Sequence, residues 1–235
     1  MGTTATTDVG RLHQQMVRET SRLGLEPHLV LGTTAAAMML LGVEQPTRRW
    51  MLTGLAEQPR PTQAVMAVLE QTEQAFDYLK GHLEPLTDPL RTTGRTDIDQ
   101  ATAAVLRVLG AADLDQVVAH HQVAGDLLGA VHTLTMGPSE RSGRGAFYTP
   151  PALAHLMACL VDVGPGESFN DPCAGCGGLA IATIRRMRTQ GQSPELVHWV
   201  LGDLDAAALA CAGVQLAAMG MPVVTLRPGD ALTSG

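Results

Sequence analysis

Only one lysine, Lys80, stands among the 16 basic residues, cysteine is confined to four positions, and no apolar run approaches the length needed to cross a bilayer. The first such run, 28–43, follows the acidic residues Asp8, Glu19 and Glu26 and is interrupted by Gly32, Thr33 and Thr34. It is too short for a span of about 20 residues and too late for a signal peptide, so a cytoplasmic protein with no membrane partner is expected. Positive charge is not in surplus either: the net charge of -7 excludes a free-standing, strongly basic nucleic-acid binder, whose affinity depends on clustered cations. Three local arginine groups, Arg48-Arg49, Arg141 with Arg144, and Arg185-Arg186 with Arg188, read as solvated residues on helix faces. Cys173 and Cys176 have the C-x-x-C shape of redox and zinc sites. Zinc would need two more ligands, and the nearby pair at helical spacing, His155 with Cys159, lies on an otherwise apolar stretch, so no metal site is assigned.

A hydrophobic fraction of 45% in 235 residues describes a globular chain of one large or two small domains. No internal repeat is visible. After a Thr-rich start the pattern is helical: Val65, Leu69, Phe76 and Leu79 share one face with Gly81 as a stop, and Ile98, Ala101, Val105 and Val108 share another behind a Thr96 cap. Leu114, Val117, Val118, His121 and Leu128 form a third stripe, on which His121 reads as a core histidine. Pro- and Gly-containing joints at 57–61 and 86–95 separate these helices. An all-helical domain is expected over 1–136.

Composition changes at Gly137-Pro138-Ser139-Glu140-Arg141-Ser142-Gly143-Arg144-Gly145, which leads into Ala146-Phe147-Tyr148-Thr149-Pro150-Pro151 and a helix over 152–161. Ser168-Phe169-Asn170 then reads as a strand, followed by Asp171-Pro172-Cys173-Ala174-Gly175-Cys176-Gly177-Gly178 and a helix. Three glycines in four positions let the backbone bend sharply and turn its N–H groups toward a polar ligand beside a helix N-terminus. A second strand over 196–202 runs into Asp203-Leu204-Asp205. Leu209, Ala212, Leu216 and Met219 mark a helix ended by Gly220, and a third strand, 223–226, leads to Gly229-Asp230. The order β-α-β-α-β predicts an α/β fold with a parallel sheet, in which Asp171, Asp203 and Asp230 all fall at strand carboxyl ends, where such sheets bind ligands.

These motifs, in this order, resemble those of N6-adenine DNA methyltransferases, and in particular the modification subunit of type I restriction-modification systems. Asp126-Leu127-Leu128-Gly129-Ala130-Val131 resembles the segment that leads into the Phe-Tyr-Thr-Pro element there. The resemblance is specific over 126–235 and architectural before that. Cys173-Ala174 stands where the family often has Ala-Cys, and Cys176 where it often has Ser or Thr. It implies a helical domain followed, over 145–235, by the first half of a Rossmann-like, S-adenosylmethionine-dependent methyltransferase sheet with its strands in the order third, second, first. Phe147, Tyr148, Thr149 and Pro150 would flank the methionine end of S-adenosylmethionine, and Asp171, Pro172, Gly175 and Gly177 would form the turn around its amino-acid portion. Asp203 would bind the ribose hydroxyls and Asp230 the adenine amine.

The same resemblance calls for an Asn/Asp-Pro-Pro-aromatic motif to grip an extruded adenine, and these 235 residues contain none. No catalytic residue is therefore assigned, and the chain by itself is expected to be inactive. Two function classes remain: the cofactor-binding part of an adenine-N6 DNA methyltransferase, with DNA, a complementing fragment or a specificity subunit as partners, and a non-catalytic S-adenosylmethionine-binding or interaction protein derived from one. A nicotinamide-dependent oxidoreductase shares the glycine turn and the later acid but not Phe147 to Pro150.

Overall fold

The computed structural model describes residues 9–25, 27–91, 96–120, 124–136 and 149–230. Described residues before 137 form helices and turns: α1 Val9–Ser21, α2 His28–Met38, α3 Gln45–Ala56, α4 Pro61–Ala75, α5 Glu84–Thr87, α6 Thr96–Ala111, α7 Leu114–Ala119 and α8 Leu127–Thr135. Prolines in the first turn open α3, α4 and α5, where the missing N–H breaks no helical hydrogen bond. The first apolar run, 28–43, forms α2 over its first eleven residues, apolar all round and buried over 29–38. Among the described residues no helix is long and apolar enough to cross a membrane.

Three sequence expectations need correction. The stripe from Val65 to Leu79 is not one helix: α4 ends at Ala75, Phe76 turns extended, and Leu79 is buried from a 3-10 turn over Asp77–Leu79. The third stripe is two helices, because each has its own aspartate cap. Asp113 accepts from the Gln116 amide at 3.2 Å and Asp126 from the Gly129 amide at 2.8 Å, with a reversal through Gly125 between them. The joint at 86–95 includes the end of α5 and a further 3-10 turn, Asp88–Leu90. His121 and the expected domain boundary between 136 and 145 lie outside the described residues.

Nor are all the arginines solvated. Arg48 is buried and forms a two-pronged pair with Asp115, Nη1 donating at 3.0 Å, while also donating to the Leu41 carbonyl. Arg186 donates to the carbonyls of Ala158 and Val161 at 3.2 and 3.1 Å. It thereby satisfies the carboxyl end of α9 (Pro151–Leu160) and holds that helix against α10 (Gly178–Thr189).

The remaining elements are β1 Ser168–Asp171, β2 His198–Asp203, α11 Ala206–Ala218 and β3 Val224–Pro228. The sheet is parallel in the order β1-β2-β3, which matches the predicted third, second, first when read from its other side. Register aligns Phe169, Trp199 and Val224 in one row and Leu201 with Leu226 in another. These side chains are buried, with the Phe169 and Trp199 rings 5.1 Å apart. Leu226 packs at Gly213 of α11, so this face is covered by α11. Asn170, Val200 and Thr225 form the opposite row, in which Asn170 is exposed and Thr225 half-buried. One face of a parallel sheet is thus incompletely covered, and β1 pairs on one side only among the described residues. Beside it, α9 buries Ala154 and Ala158 but exposes Leu153, Leu156, Met157 and Leu160.

Two helical glycines differ in what surrounds them. At Gly32 in α2, a Cβ would overlap the backbone carbonyl oxygen of Leu86, so α5 approaches too closely for any side chain. At Gly54 in α3, a Cβ would meet nothing within 4 Å. Gly32→Ala should therefore lose about 3 kcal/mol of unfolding free energy by overpacking, whereas Gly54→Ala should gain roughly 0.5–1 kcal/mol from helix propensity. Urea denaturation of the two variants checks both signs.

Candidate functional site

A strand-turn-helix element lies at the sheet's carboxyl end. β1 delivers Asp171; the turn passes through Gly175 (φ 53°) and Gly177 (φ 89°), and α10 begins at Gly178. Left-handed backbone at Gly177 is paired with crowding, since a Cβ there would lie 3.2 Å from that of Ala212 on α11. At Gly175 a Cβ would meet nothing within 4 Å, so this part of the turn has open space beside it. The Ala174 amide donates to the Gly202 carbonyl at 2.8 Å, tying the turn to β2.

Asp171 accepts from the Cys173 amide at 3.1 Å. Burial raises its pKa, that amide opposes the rise, and the charge of Asp203 adds to it, leaving a net upward shift. Asp203 bridges two motifs: one carboxylate oxygen accepts from the Gly175 amide at 2.7 Å, the other from the Asp205 amide at 2.8 Å. Its carbonyl accepts from Gly229 at 3.0 Å, which brings the third strand's exit, and Asp230 next to it, to the same end of the sheet. Asp171, Gly175, Gly177, Asp203 and Asp230 are therefore gathered at adjacent strand ends by parallel order and register. Pro172 is exposed at the mouth of the turn, and Thr149 and Pro150 are exposed just before α9. Phe147 and Tyr148 lie outside the described residues.

Behind the turn is a group that sequence reasoning did not assign. Gln215, on α11, is buried and donates to Asp126 at 2.8 Å and to the Cys176 carbonyl at 2.9 Å. His132 sits 3.6 Å from Asp205. Burial disfavours its charged form, but a hydrogen bond with Cys176 and the charges of Asp205 and Asp126 outweigh burial and raise its pKa. The Cys176 thiol is pushed well up by its hydrogen bond with Cys211 and by burial, and stays neutral. Cys173, in contrast, is exposed, so the C-x-x-C pair is divided between solvent and core. Among the described residues no cluster of three or more His, Cys, Asp or Glu is placed to hold a metal. A lone glutamine in a helix otherwise made of Ala, Leu, Val, Gly and Cys is the signal that could have revealed Gln215.

One cavity borders these features and another lies in the helical region. A groove of about 610 Å³ follows β1 from Val161 and Glu167 to Asp171 and Leu179, ending at the glycine turn. A slightly larger cavity, about 670 Å³, lies between Arg60, Met66 and Asp99 in the helical region and includes none of the strand-end residues.

Residues 123–225 match the model of the N-6 DNA methylase family. The chain is thus similar to N6-adenine DNA methyltransferases over that segment. It is also similar to the crystal structure of the type I restriction-modification system methyltransferase subunit from Streptococcus thermophilus, with a TM-score of 0.51 and 18% identity. That likeness covers 96% of this chain and 59% of that one, so the chain spans about three fifths of the other protein's length. At such identity it speaks for the fold. The matched segment starts just before Asp126 and contains the glycine turn, Asp203 and Gln215.

Asp126 gives the core behind the glycine turn a pH dependence. Its carboxyl pKa is raised from 3.8 to about 6, by burial first, against opposing hydrogen bonds from Gln215 and Gly129 and the charge of His132. A raised folded-state pKa contributes stability that is fully present below the unfolded value and is lost as pH rises through the folded one. Between pH ~4 and ~6.5 the wild type should therefore lose about 2 kcal/mol relative to Asp126→Asn, which carries no charge there. Urea unfolding of both proteins at several pH values measures the difference; parallel curves would contradict it.

Proposed function

We propose that the chain binds S-adenosylmethionine at the carboxyl ends of β1, β2 and β3, as the cofactor-binding part of an adenine-N6 DNA methyltransferase. The observation that carries this reading is the Asp203 bridge to Gly175, which joins the acid at the end of the second strand to the glycine turn after the first. The donor set suits the ligand. Backbone N–H groups at the start of α10 suit a carboxylate, and Asp171 suits an ammonium group. Each Asp203 oxygen already accepts one backbone N–H and keeps a further lone pair for a ribose hydroxyl. Open space beside Gly175 leaves room for the ligand. Asp230 would face the adenine amine, and Phe147 through Pro150 the methionine end. The cofactor, when bound, supplies the methyl group; these residues orient it and exclude alternatives.

Asp203→Ala should weaken S-adenosylmethionine binding by roughly ten- to a hundred-fold, the loss of charge-assisted hydrogen bonds. Isothermal titration of both proteins tests this, and an unchanged Kd, or binding of a nicotinamide dinucleotide instead, would overturn the assignment.

The reading places the protein in the cytoplasm, with DNA as the methyl acceptor. The specificity subunit of a restriction-modification system, or a polypeptide completing the methyltransferase, is the expected partner. Support comes from the half-covered sheet face, the side of β1 that has no partner among the described residues, and the exposed leucines of α9, which together resemble a surface meant to be covered. Because the 235 residues hold no Asn/Asp-Pro-Pro-aromatic motif, the purified chain should transfer no labelled methyl groups to duplex DNA. Measurable transfer by the chain alone would favour a different base-gripping element.

A further inference from the structure

In α11, Gln215 is the one residue with a polar amide, and its side chain is 1% exposed. A buried amide is tolerated only when its groups are paired. Here both hydrogens on Nε2 are used, one on Asp126 Oδ1 and one on the Cys176 carbonyl, and Oε1 accepts from the Leu128 amide at 3.2 Å. Three segments far apart in sequence thus meet on one side chain: the start of α8, helix α11, and the turn between β1 and α10.

The same three segments are in steric contact. Asp126 Oδ2 lies 3.1 Å from where a Cβ of Gly178 would be, and Ala212 lies directly against Gly177. The peptide between Cys176 and Gly177 is held from both ends: its carbonyl accepts from Gln215, and its N–H donates to the Ala174 carbonyl at 2.8 Å. Rotation of that peptide would redirect the turn's neighbouring N–H groups, including that of Gly175, which reaches Asp203. A leucine would fill the volume at position 215 but could not set the orientation of this peptide.

We propose that Gln215, with Asp126, is a positioning residue for the glycine turn: it fixes the turn from behind, so that helix α8 takes part in shaping the ligand site. The turn's role as a ligand site rests on the S-adenosylmethionine reading; the positioning itself does not.

Thiol chemistry separates a local role from a general one, because the four cysteines report on different places. Cys159 and Cys173 are exposed and label at once; Cys176 is buried in the turn, and Cys211 is buried on α11. In Gln215→Leu and in the unbranched Gln215→Met, under native conditions, Cys176 should react roughly tenfold faster than in the wild type, the effect of one lost buried hydrogen bond, while Cys211 stays protected. Mass spectrometry of the labelled peptides reads the two sites separately. S-adenosylmethionine affinity should fall in the same variants by a similar factor. Equal labelling of Cys176 and Cys211, or Cys176 as protected as in the wild type, would overturn the proposal. If the wild type binds no S-adenosylmethionine but Cys176 is selectively exposed in the variants, the ligand reading fails and the positioning role stands. A wild-type measurement covers the case in which neither variant folds. In low urea, hydrogen exchange at the Leu128 amide and labelling of Cys176 should report the same opening, since one side chain holds both; exchange at Leu128 with Cys176 still protected would count against it.

Discussion

Helix α11 is buried on both sides, and that constraint shapes everything around it. Of its 13 residues, 208–217 are buried, and apart from Gln215 they are Ala, Cys, Gly, Val and Leu. Small side chains let the sheet approach at Gly213, where Leu226 and Leu79 arrive from different regions of the chain. They also let the glycine turn rest on Ala212. A helix wedged between a sheet and a helical bundle has no polar face to give away, and so its single polar residue must be answered entirely by protein groups.

Those groups belong to the site. Gln215 answers to Asp126 at the cap of α8 and to the carbonyl of Cys176; His132 connects Cys176 to Asp205, which caps α11. Asp205 in turn donates its amide to Asp203, the acid that holds Gly175. The helical region therefore reaches the glycine turn through hydrogen bonds as well as through apolar packing. The matched N-6 DNA methylase segment runs from just before α8 through β2 and α11 to the start of β3.

The sheet is most complete where α11 lies and least complete away from it. Trp199, Leu201, Val224 and Leu226 are buried beneath that helix, while Asn170 is exposed and β1 pairs on one side only among the described residues. The protein similar to it is longer by about two fifths of its own length, and a parallel sheet with helices on one face is an arrangement that further polypeptide would ordinarily cover.

Much of this was legible from residue order. The glycine turn, the acids at the strand ends and the β-α-β-α-β succession follow from local rules: backbone freedom at glycine, the period of apolar residues, and the right-handed crossover. Helix ends were less legible, since Phe76 leaves its helix so that Tyr78 can reach the Met221 carbonyl, a partner 143 positions away. Arg48 and Arg186 looked like surface charge because a guanidinium's partners, here Asp115 and the carbonyls at the end of α9, are invisible until the helices pack. Asp126 and Gln215 belong with them. Sequence alone determined which residues could line a polar-ligand site, because that depends on residue type and spacing along one strand-turn-helix unit. Only the tertiary structure decided what holds that site in shape, because a buried hydrogen bond is made by groups the chain brings together from 89 residues apart.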